Sequence, residues 1–209
     1  MYNNANILYV GCIAGYNVGT IETCSVQNGN INVLHTKQRN VGLITGYSTG
    51  TVQNCYVTGS VYVKLSVQAY EQAGVGGIVG YNNGLLDSCY VNATVASYGT
   101  YKNWLYTGII TGIAHSKGTV SNCLILGGSV EGNGNHGDIG GCNYGVVSNC
   151  YKVDSVEILG ATVKLTVTMT IEQLQNPDFY TVSLGWDLTI WDITNINLEN
   201  GRYPTLNQK

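Results

Sequence analysis

The sequence predicts an all-β fold, a right-handed parallel β-solenoid (β-helix) of about five coils, on three observations. A glycine is followed five residues later by a cysteine at five places, and these glycines are 31, 34, 34 and 27 residues apart. The apolar runs between them are short and broken by glycine, which favours strands over helices. Glycine accounts for 28 of the 209 residues, whereas only 10% are charged. A period of about 30 residues with strand-like segments is typical of one solenoid coil per repeat.

Each element of the repeat follows from its spacing. In the second repeat we expect a strand from Val41 to Gly46, a turn, a second strand, and a third stretch that ends near Val61. The odd spacing of Ile21 and Cys24 cannot keep both side chains on one face of a straight strand. A bend at Thr23, or at its counterpart in the next coil, is therefore predicted. The right hand follows the general rule for parallel crossovers.

Stacking the coils at about 4.8 Å brings equivalent residues into ladders along the axis. Stacked asparagine amides can bond one another, and buried cysteines behave as small hydrophobes. In-register cysteine side chains point in parallel, which disfavours disulfides, although disulfides or a metal site stay open as alternatives. The predicted structural ladders are Cys24, Cys55, Cys89, Cys123 and Cys150, with Asn54, Asn122 and Asn149.

The pattern changes after Met169, and the chain is divided into a solenoid at residues 1–169 and a C-terminal cap at residues 170–209. Thr170 and Gln173 form the signature of a capping box at the start of one short helix, and Pro177 ends it. A tryptophan-rich segment follows. We expect this cap to cover the exposed edge strands at the end of the solenoid.

Composition narrows the classes of partner. A hydrophobic content of 44% suits a folded core, and a net charge of −3 gives no electrostatic reason to expect nucleic acid. No apolar run approaches the ~18 residues of a membrane span, so no membrane insertion is expected. A surface of Asn, Ser, Thr and Tyr suits an extracellular or cell-surface domain. The start lacks the basic region of a signal peptide, which predicts a fragment without its signal peptide.

Residues 42–61 and 76–95 resemble the GLUG motif, a glycine-rich repeat of bacterial surface and secreted proteins, and the resemblance extends over about residues 8–156. The fifth repeat departs from it, with Cys142 where Tyr16, Tyr47 and Tyr81 stand. The resemblance implies an adhesin-like β-solenoid. The motif also occurs in immunoglobulin-A-cleaving metallopeptidases, outside their catalytic domains, so it implies an architecture for surface display and no activity.

Candidate catalytic groups are few. Glu22 and Asp87 would share a column two coils apart, at about 9.6 Å, which would suit an inverting glycosidase pair. No third acid or base is in register with them, so we interpret them as a solvated polar column. Residues Gly132–Gly140 resemble a calcium-binding nonapeptide but occur once, and we interpret them as a polar turn. No catalytic residue, no metal and no cofactor is expected.

The candidate ligand-binding surface is an edge. The insertions at residues 32–40, 62–74, 96–106 and 131–136 fall at one place in the repeat, so they stack along one edge, which is often the binding face. Aromatic rings with polar partners suit sugars or protein hot spots, although tolerated loop variation is the alternative. The candidates are Tyr62, Tyr70, Tyr98, Tyr101, Trp104 and Tyr106, with His35 and Arg39, and nearby Lys37, Lys64, Lys102 and His136.

Three functions follow in order of preference. The first is a non-catalytic, adhesin-like module that recognises a host glycan or an extracellular matrix or surface protein through this edge. The second is a structural stalk that projects another domain, with further coils or domains of the same polypeptide at its N-terminus. The third is a polysaccharide-degrading β-helix enzyme, which would depend on Glu22 or Asp87.

Overall fold

The computed structural model describes residues 8–35, 39–65, 72–100, 102–156, 158 and 160–207. It confirms the predicted class, an all-β parallel solenoid. The right-handed sense stays a prediction. Among the described residues, no helix is long and apolar enough to cross a membrane.

Each coil contributes one strand to each of four parallel sheets. Five sets of four strands follow one another along the chain: β1 (Leu8–Val10), β2 (Ala14–Asn17), β3 (Thr20–Glu22) and β4 (Ser25–His35); β5 (Arg39–Val41), β6 (Thr45–Ser48), β7 (Thr51–Gln53) and β8 (Tyr56–Leu65); β9 (Ala73–Gly76), β10 (Val79–Asn82), β11 (Leu85–Asp87) and β12 (Tyr90–Gly99); β13 (Leu105–Gly108), β14 (Thr111–Ala114), β15 (Thr119–Ser121) and β16 (Leu124–Gly132); β17 (Asn135–Gly137), β18 (Cys142–Asn143), β19 (Val146–Ser148) and β20 (Tyr151–Val153). Two further strands, β21 (Ala161–Val163) and β22 (Val167–Met169), begin another coil.

Neighbouring strands in each sheet come from successive coils, so equivalent residues stack in register. In the third sheet, for example, Val52 pairs with Leu86 and Leu86 pairs with Val120. All three side chains are fully buried. Each such side chain contributes about 1.5–3 kcal/mol to stability, so columns of small contributions hold the solenoid together.

The first part of the repeat differs from the expectation. The predicted strand from Val41 to Gly46 is two strands, because β5 ends at Val41 and β6 begins at Thr45. Between them Leu43 and Ile44 are both fully buried. Adjacent side chains cannot both point inward from a straight strand, so the chain turns a corner here. The last strand of the coil is also longer than expected and runs to Leu65.

The predicted bend before each ladder cysteine is a residue in the left-handed backbone region. The five residues have φ between 50° and 52°, and asparagine is the non-glycine residue that adopts this region most readily. The backbone turn lets the apolar residues on both sides of the corner point into the core. These corner residues are Thr23, Asn54, Ser88, Asn122 and Asn149.

Thr23→Asn is expected to stabilise the protein by about 1 kcal/mol, because a β-branched residue is strained in the left-handed region where asparagine is tolerated. Thermal unfolding should rise by about 2–4 °C. Thr20→Asn is the matched control, since Thr20 is exposed on the ordinary strand β3 of the same coil. Equal melting temperatures for wild type and Thr23→Asn would contradict the strain argument.

The C-terminal segment begins with the helix α1 (Ile171–Leu174). The predicted capping box is present, because the Thr170 side chain accepts from the backbone of Gln173 and the Gln173 side chain accepts from the backbone of Thr170. A helical turn at Phe179–Ser183, which the sequence did not indicate, follows it. Strands β23 (Trp191–Asp192) and β24 (Thr205–Leu206) then form an antiparallel pair.

Residues 170–207, hereafter the strap, contact the side of the solenoid. The Asn149 amide donates to the Ser183 carbonyl at 2.6 Å. The Trp186 indole donates to the backbone carbonyl of Asn122 at 3.0 Å, and the Trp191 indole donates to the side chain of Asn54 at 3.3 Å. These contacts pass from the fifth coil to the second, so they lie along the corner residues and not across the end where a cap was expected. The division at residue 169 stays a prediction.

Candidate functional site

The ladder cysteines occupy one column directly after the corner residues. Each of the four buried ones donates its thiol to the backbone carbonyl two residues earlier, at 3.0 to 3.2 Å. All seven cysteines are free. Among the described residues, no group of three or more His, Cys, Asp or Glu side chains is placed to hold a metal ion. The buried members are Cys55, Cys89, Cys123 and Cys150, whereas Cys24 is half-buried.

Burial makes these thiols poor nucleophiles. Desolvation raises the pKa of Cys89 and of Cys123 well above the ordinary value. The hydrogen bond with Cys123, together with burial, raises the pKa of Cys150. Because the thiolate is the reactive form, we expect Cys89, Cys123 and Cys150 to be unreactive at neutral pH.

Thiol labelling is therefore expected to be selective. In the native protein a maleimide should modify Cys12, which is exposed, and more slowly Cys24, while the five buried thiols, those of the column and Cys142, stay unmodified. In guanidinium chloride all seven should react, which serves as the control. Native labelling of Cys89 at the rate of Cys12, measured by peptide mass spectrometry, would contradict burial of the column.

The asparagine column is joined by side-chain hydrogen bonds. The Asn149 amide donates to Asn122 at 2.7 Å, and the Asn122 amide donates to the Asp87 carboxylate at 2.8 Å. Ser88 replaces asparagine in the third coil and donates to the other Asp87 oxygen at 2.8 Å. Asn54 instead accepts the Trp191 indole. The asparagine column therefore joins corner residues of successive coils and also bonds the strap.

Glu22 and Asp87 lie in one column, with Gln53 between them. Glu22 accepts from the Gln53 amide at 2.9 Å. Asp87 accepts from the Ser121 hydroxyl at 2.5 Å as well as from Asn122 and Ser88. These bonds occupy both carboxylates with neighbours in the ladder. The geometry supports a structural polar column.

The stretch Gly132–Gly140 contains a buried carboxylate instead of a simple polar turn. Asp138 is 1% exposed. One of its oxygens accepts from the backbone of Ile139 and both accept from the backbone of Leu165, at 2.8 to 3.0 Å. The backbone and hydroxyl of Thr166 also donate to it, at 3.1 and 2.6 Å. Asp138 therefore ties the segment before β22 to the solenoid.

Two of the candidate ligand-binding tyrosines lie on strands and not in loops, because β8 and β12 extend beyond the expected repeat. Tyr62 and Tyr98 lie on neighbouring coils, with ring centroids 5.9 Å apart and planes tilted by 40°. Lys64 pairs with Tyr98 in the strand register, and Leu34, which is 67% exposed, pairs with Lys64. These four residues are hereafter the aromatic patch.

Trp104 and Tyr106 lie where the next coil begins, the first in a turn and the second on a strand. Trp104 is 43% exposed in the short 3-10 turn Lys102–Trp104. The chain before this turn is fixed by Asn133, whose side chain bonds both the N–H and the carbonyl of Gly99 at 2.9 Å. Tyr106 is half-buried on β13.

Two of the remaining candidates, Arg39 and His136, are buried in the structure. Arg39 is 2% exposed on β5, where desolvation lowers its pKa, and its role in ligand binding stays a prediction. His136 is buried on β17. His35 ends β4, but its side chain lies outside the described residues, as do Tyr70, Tyr101 and Lys37.

A second aromatic column runs along the other side of the solenoid. Tyr16 stacks on Tyr47 with centroids 5.1 Å apart, and Tyr47 stacks on Tyr81 at 4.8 Å. His115 continues the stack at 5.4 Å from Tyr81. Burial, with the neighbouring Tyr47, raises the pKa of Tyr81 to about 12. Because the rings stack face to face on one another, we assign the column a structural role.

A cavity that no sequence pattern indicates lies between the strap and the fourth sheet. Its volume is about 350 Å³. The sheet contributes Gln27, Thr58 and the stacked pair Tyr56 and Tyr90, whose ring centroids are 4.8 Å apart. The strap contributes the other wall, formed by Asp192, Asn195, Ile196, Gly201, Arg202, Tyr203 and Thr205. The sequence shows tyrosines at these positions. It does not indicate that they face the strap, which is distant from them along the chain.

A family model supports one copy of the repeat. Residues 38–62 match the model of the GLUG motif. No curated protein matches the chain significantly in sequence. The chain is similar to a crystal structure from Bacteroides ovatus described as a candidate immunoglobulin A1 protease, with 18% identity, a TM-score of 0.47, and coverage of 90% of this chain and 74% of that one. A likeness at this level supports no conclusion about activity. The chain therefore carries the GLUG motif in its second coil, as the sequence resemblance predicts.

Proposed function

We propose that this GLUG-repeat solenoid is a non-catalytic, extracellular or cell-surface recognition module, adhesin-like in its mode of action, that binds a host glycan or matrix protein. The observation that carries the proposal is the aromatic patch. Its two tyrosines stand side by side on adjacent strands, with an exposed leucine and a lysine in the neighbouring register positions.

The rigidity of the patch supports recognition. Tyr62 and Tyr98 project from long strands whose alternate residues, Val61, Val63 and Val95, are buried in the core. Aromatic side chains on such a scaffold lose little conformational freedom on binding and dominate interface energetics. The surface location is supported by the GLUG resemblance and by a surface poor in charge.

The test is binding of the purified protein to arrays of glycans and of matrix proteins. The double variant Tyr62→Ala/Tyr98→Ala is expected to lose about 2 kcal/mol of binding free energy, or roughly thirtyfold in Kd. Its thermal unfolding should stay close to that of the wild type, because both rings are partly exposed.

Tyr144→Ala is the matched control, since Tyr144 is 63% exposed and lies outside the patch. It should bind as the wild type does. Unchanged binding by the double variant would reject the patch as the recognition surface. If the folded wild-type protein binds to neither array, the binding function is rejected.

A stalk that projects another domain is the second candidate, because one observation favours it. The four sheets run continuously through all five coils, with strands paired in parallel along the axis, which suits a spacer. A polysaccharide-degrading enzyme is not favoured, because ladder hydrogen bonds occupy both Glu22 and Asp87.

A further inference from the structure

The strap cavity is a different kind of site from the aromatic patch and is lined by different residues. Its floor is the pair Tyr56 and Tyr90 at the start of the long strands, where the strap crosses the sheet. A volume of about 350 Å³ is at the lower end of the range for small-molecule sites. It has room for one or two small rings and not for a folded partner.

The polar groups of the cavity are held in place before any ligand arrives. The Gln27 amide donates to the Tyr56 hydroxyl at 2.7 Å, and the Tyr90 hydroxyl donates to the Pro204 carbonyl at 2.8 Å. One Asp192 oxygen accepts from the backbone and hydroxyl of Thr194 at 2.9 and 2.6 Å. The other Asp192 oxygen accepts no hydrogen bond from the described residues, so it is available as an acceptor.

The charges and donors of the lining indicate the class of ligand. One carboxylate, Asp192, and one guanidinium, Arg202, line the same cavity, so it carries no net charge to favour a cation or an anion. Amide groups of Gln27 and Asn195 add further donors and acceptors. A sugar ring has vicinal hydroxyls that both donate and accept, and apolar C–H faces that pack on aromatic rings.

We infer that the strap cavity binds a small neutral saccharide, one or two pyranose units in size. Asp192 and Arg202 contact its hydroxyls, with Asn195 beside them, and the partly exposed ring of Tyr203 packs on its apolar face. The stacked pair Tyr56 and Tyr90, only 7% and 1% exposed, forms the floor. This site is independent of the aromatic patch, and it uses the strap as one of its two walls.

The test is titration of the whole protein with glucose, galactose, mannose, N-acetylglucosamine, cellobiose and lactose. Saturation-transfer NMR reports contact with each sugar, and tryptophan fluorescence reports from Trp191, whose ring centroid lies 6.3 Å from that of Tyr56 and 5.8 Å from that of Tyr90. At least one of these sugars should bind saturably. Arg202→Ala and Asn195→Ala should each weaken it by about tenfold, because each removes a hydrogen-bonding group.

Both variants change exposed side chains of the strap, so folding should be kept. Lys117→Ala, an exposed cation elsewhere, is the control and should bind as the wild type does. The Tyr62→Ala/Tyr98→Ala variant should also keep sugar binding, which separates this site from the proposed surface. The inference is overturned if none of the six sugars binds saturably, if both strap variants bind like the wild type, or if inorganic phosphate binds in place of the sugars.

Discussion

Replacing Gly84 with alanine is expected to lower the free energy of unfolding by about 3 kcal/mol or more. An added Cβ would lie far inside van der Waals contact with the carbonyl oxygen of Gly50 in the neighbouring coil. The backbone cannot move away easily, because Leu85 donates to that same oxygen at 3.0 Å and Asn83 donates to the Ser48 carbonyl at 2.7 Å. The measurement is chemical denaturation followed by circular dichroism.

Gly19→Ala is the matched control, because Gly19 is the equivalent residue of the first coil and a Cβ there meets nothing within 4 Å. Its stability should change by less than about 1 kcal/mol, with a small gain from the lower entropy of the unfolded chain. Equal effects at the two positions would show that the axial contact does not set the requirement for glycine. A Gly84→Ala variant that fails to fold while Gly19→Ala folds would support it.

Asp138→Ala is expected to destabilise the protein by about 2–4 kcal/mol, because it removes the acceptor of a buried network. The backbone N–H groups of Ile139, Leu165 and Thr166 lose their shared partner. The segment from Leu165 to β22 should open first. Hydrogen exchange should show loss of protection at residues 161–169 before the inner coils.

Asp154→Asn is the control for Asp138→Ala, since Asp154 is an exposed carboxylate at the same end of the solenoid. It should leave both stability and hydrogen exchange close to wild type. Uniform loss of protection across all coils in Asp138→Ala would show that the network stabilises the whole solenoid and not its last turn.

The repeat could be predicted from the sequence because stacking requires the same residue types at the same positions of every coil. The glycine and cysteine columns and the bend at Asn54 follow from the period and from the odd spacing of inward residues. The corner at Leu43 and Ile44 was missed because an apolar run does not show by itself where the chain turns. The lengths of β8 and β12 were missed because an outward tyrosine on a strand resembles a loop tyrosine.

The path of the strap could not be predicted from the repeat. A segment that occurs once has no register partner, so its sequence does not say which face it covers. The capping box at Thr170 was readable because it is local, with its partner in the next turn of the chain. The indole of Trp186 bonds a backbone carbonyl 64 residues distant in sequence, and that of Trp191 bonds a side-chain amide oxygen 137 residues distant. The strap cavity depends on those contacts and was therefore out of reach.

The two indoles of the strap bind two coils that lie a fixed distance apart, so the strap limits the number of coils between them. Trp186 is anchored at the fourth coil and Trp191 at the second, although the two residues are close together along the chain. A coil inserted between Asn54 and Asn122 would move these anchor points apart by about 4.8 Å, and one indole would lose its acceptor. Duplication of repeats, by which solenoids change length, is thus restricted within the part of the solenoid that the strap spans.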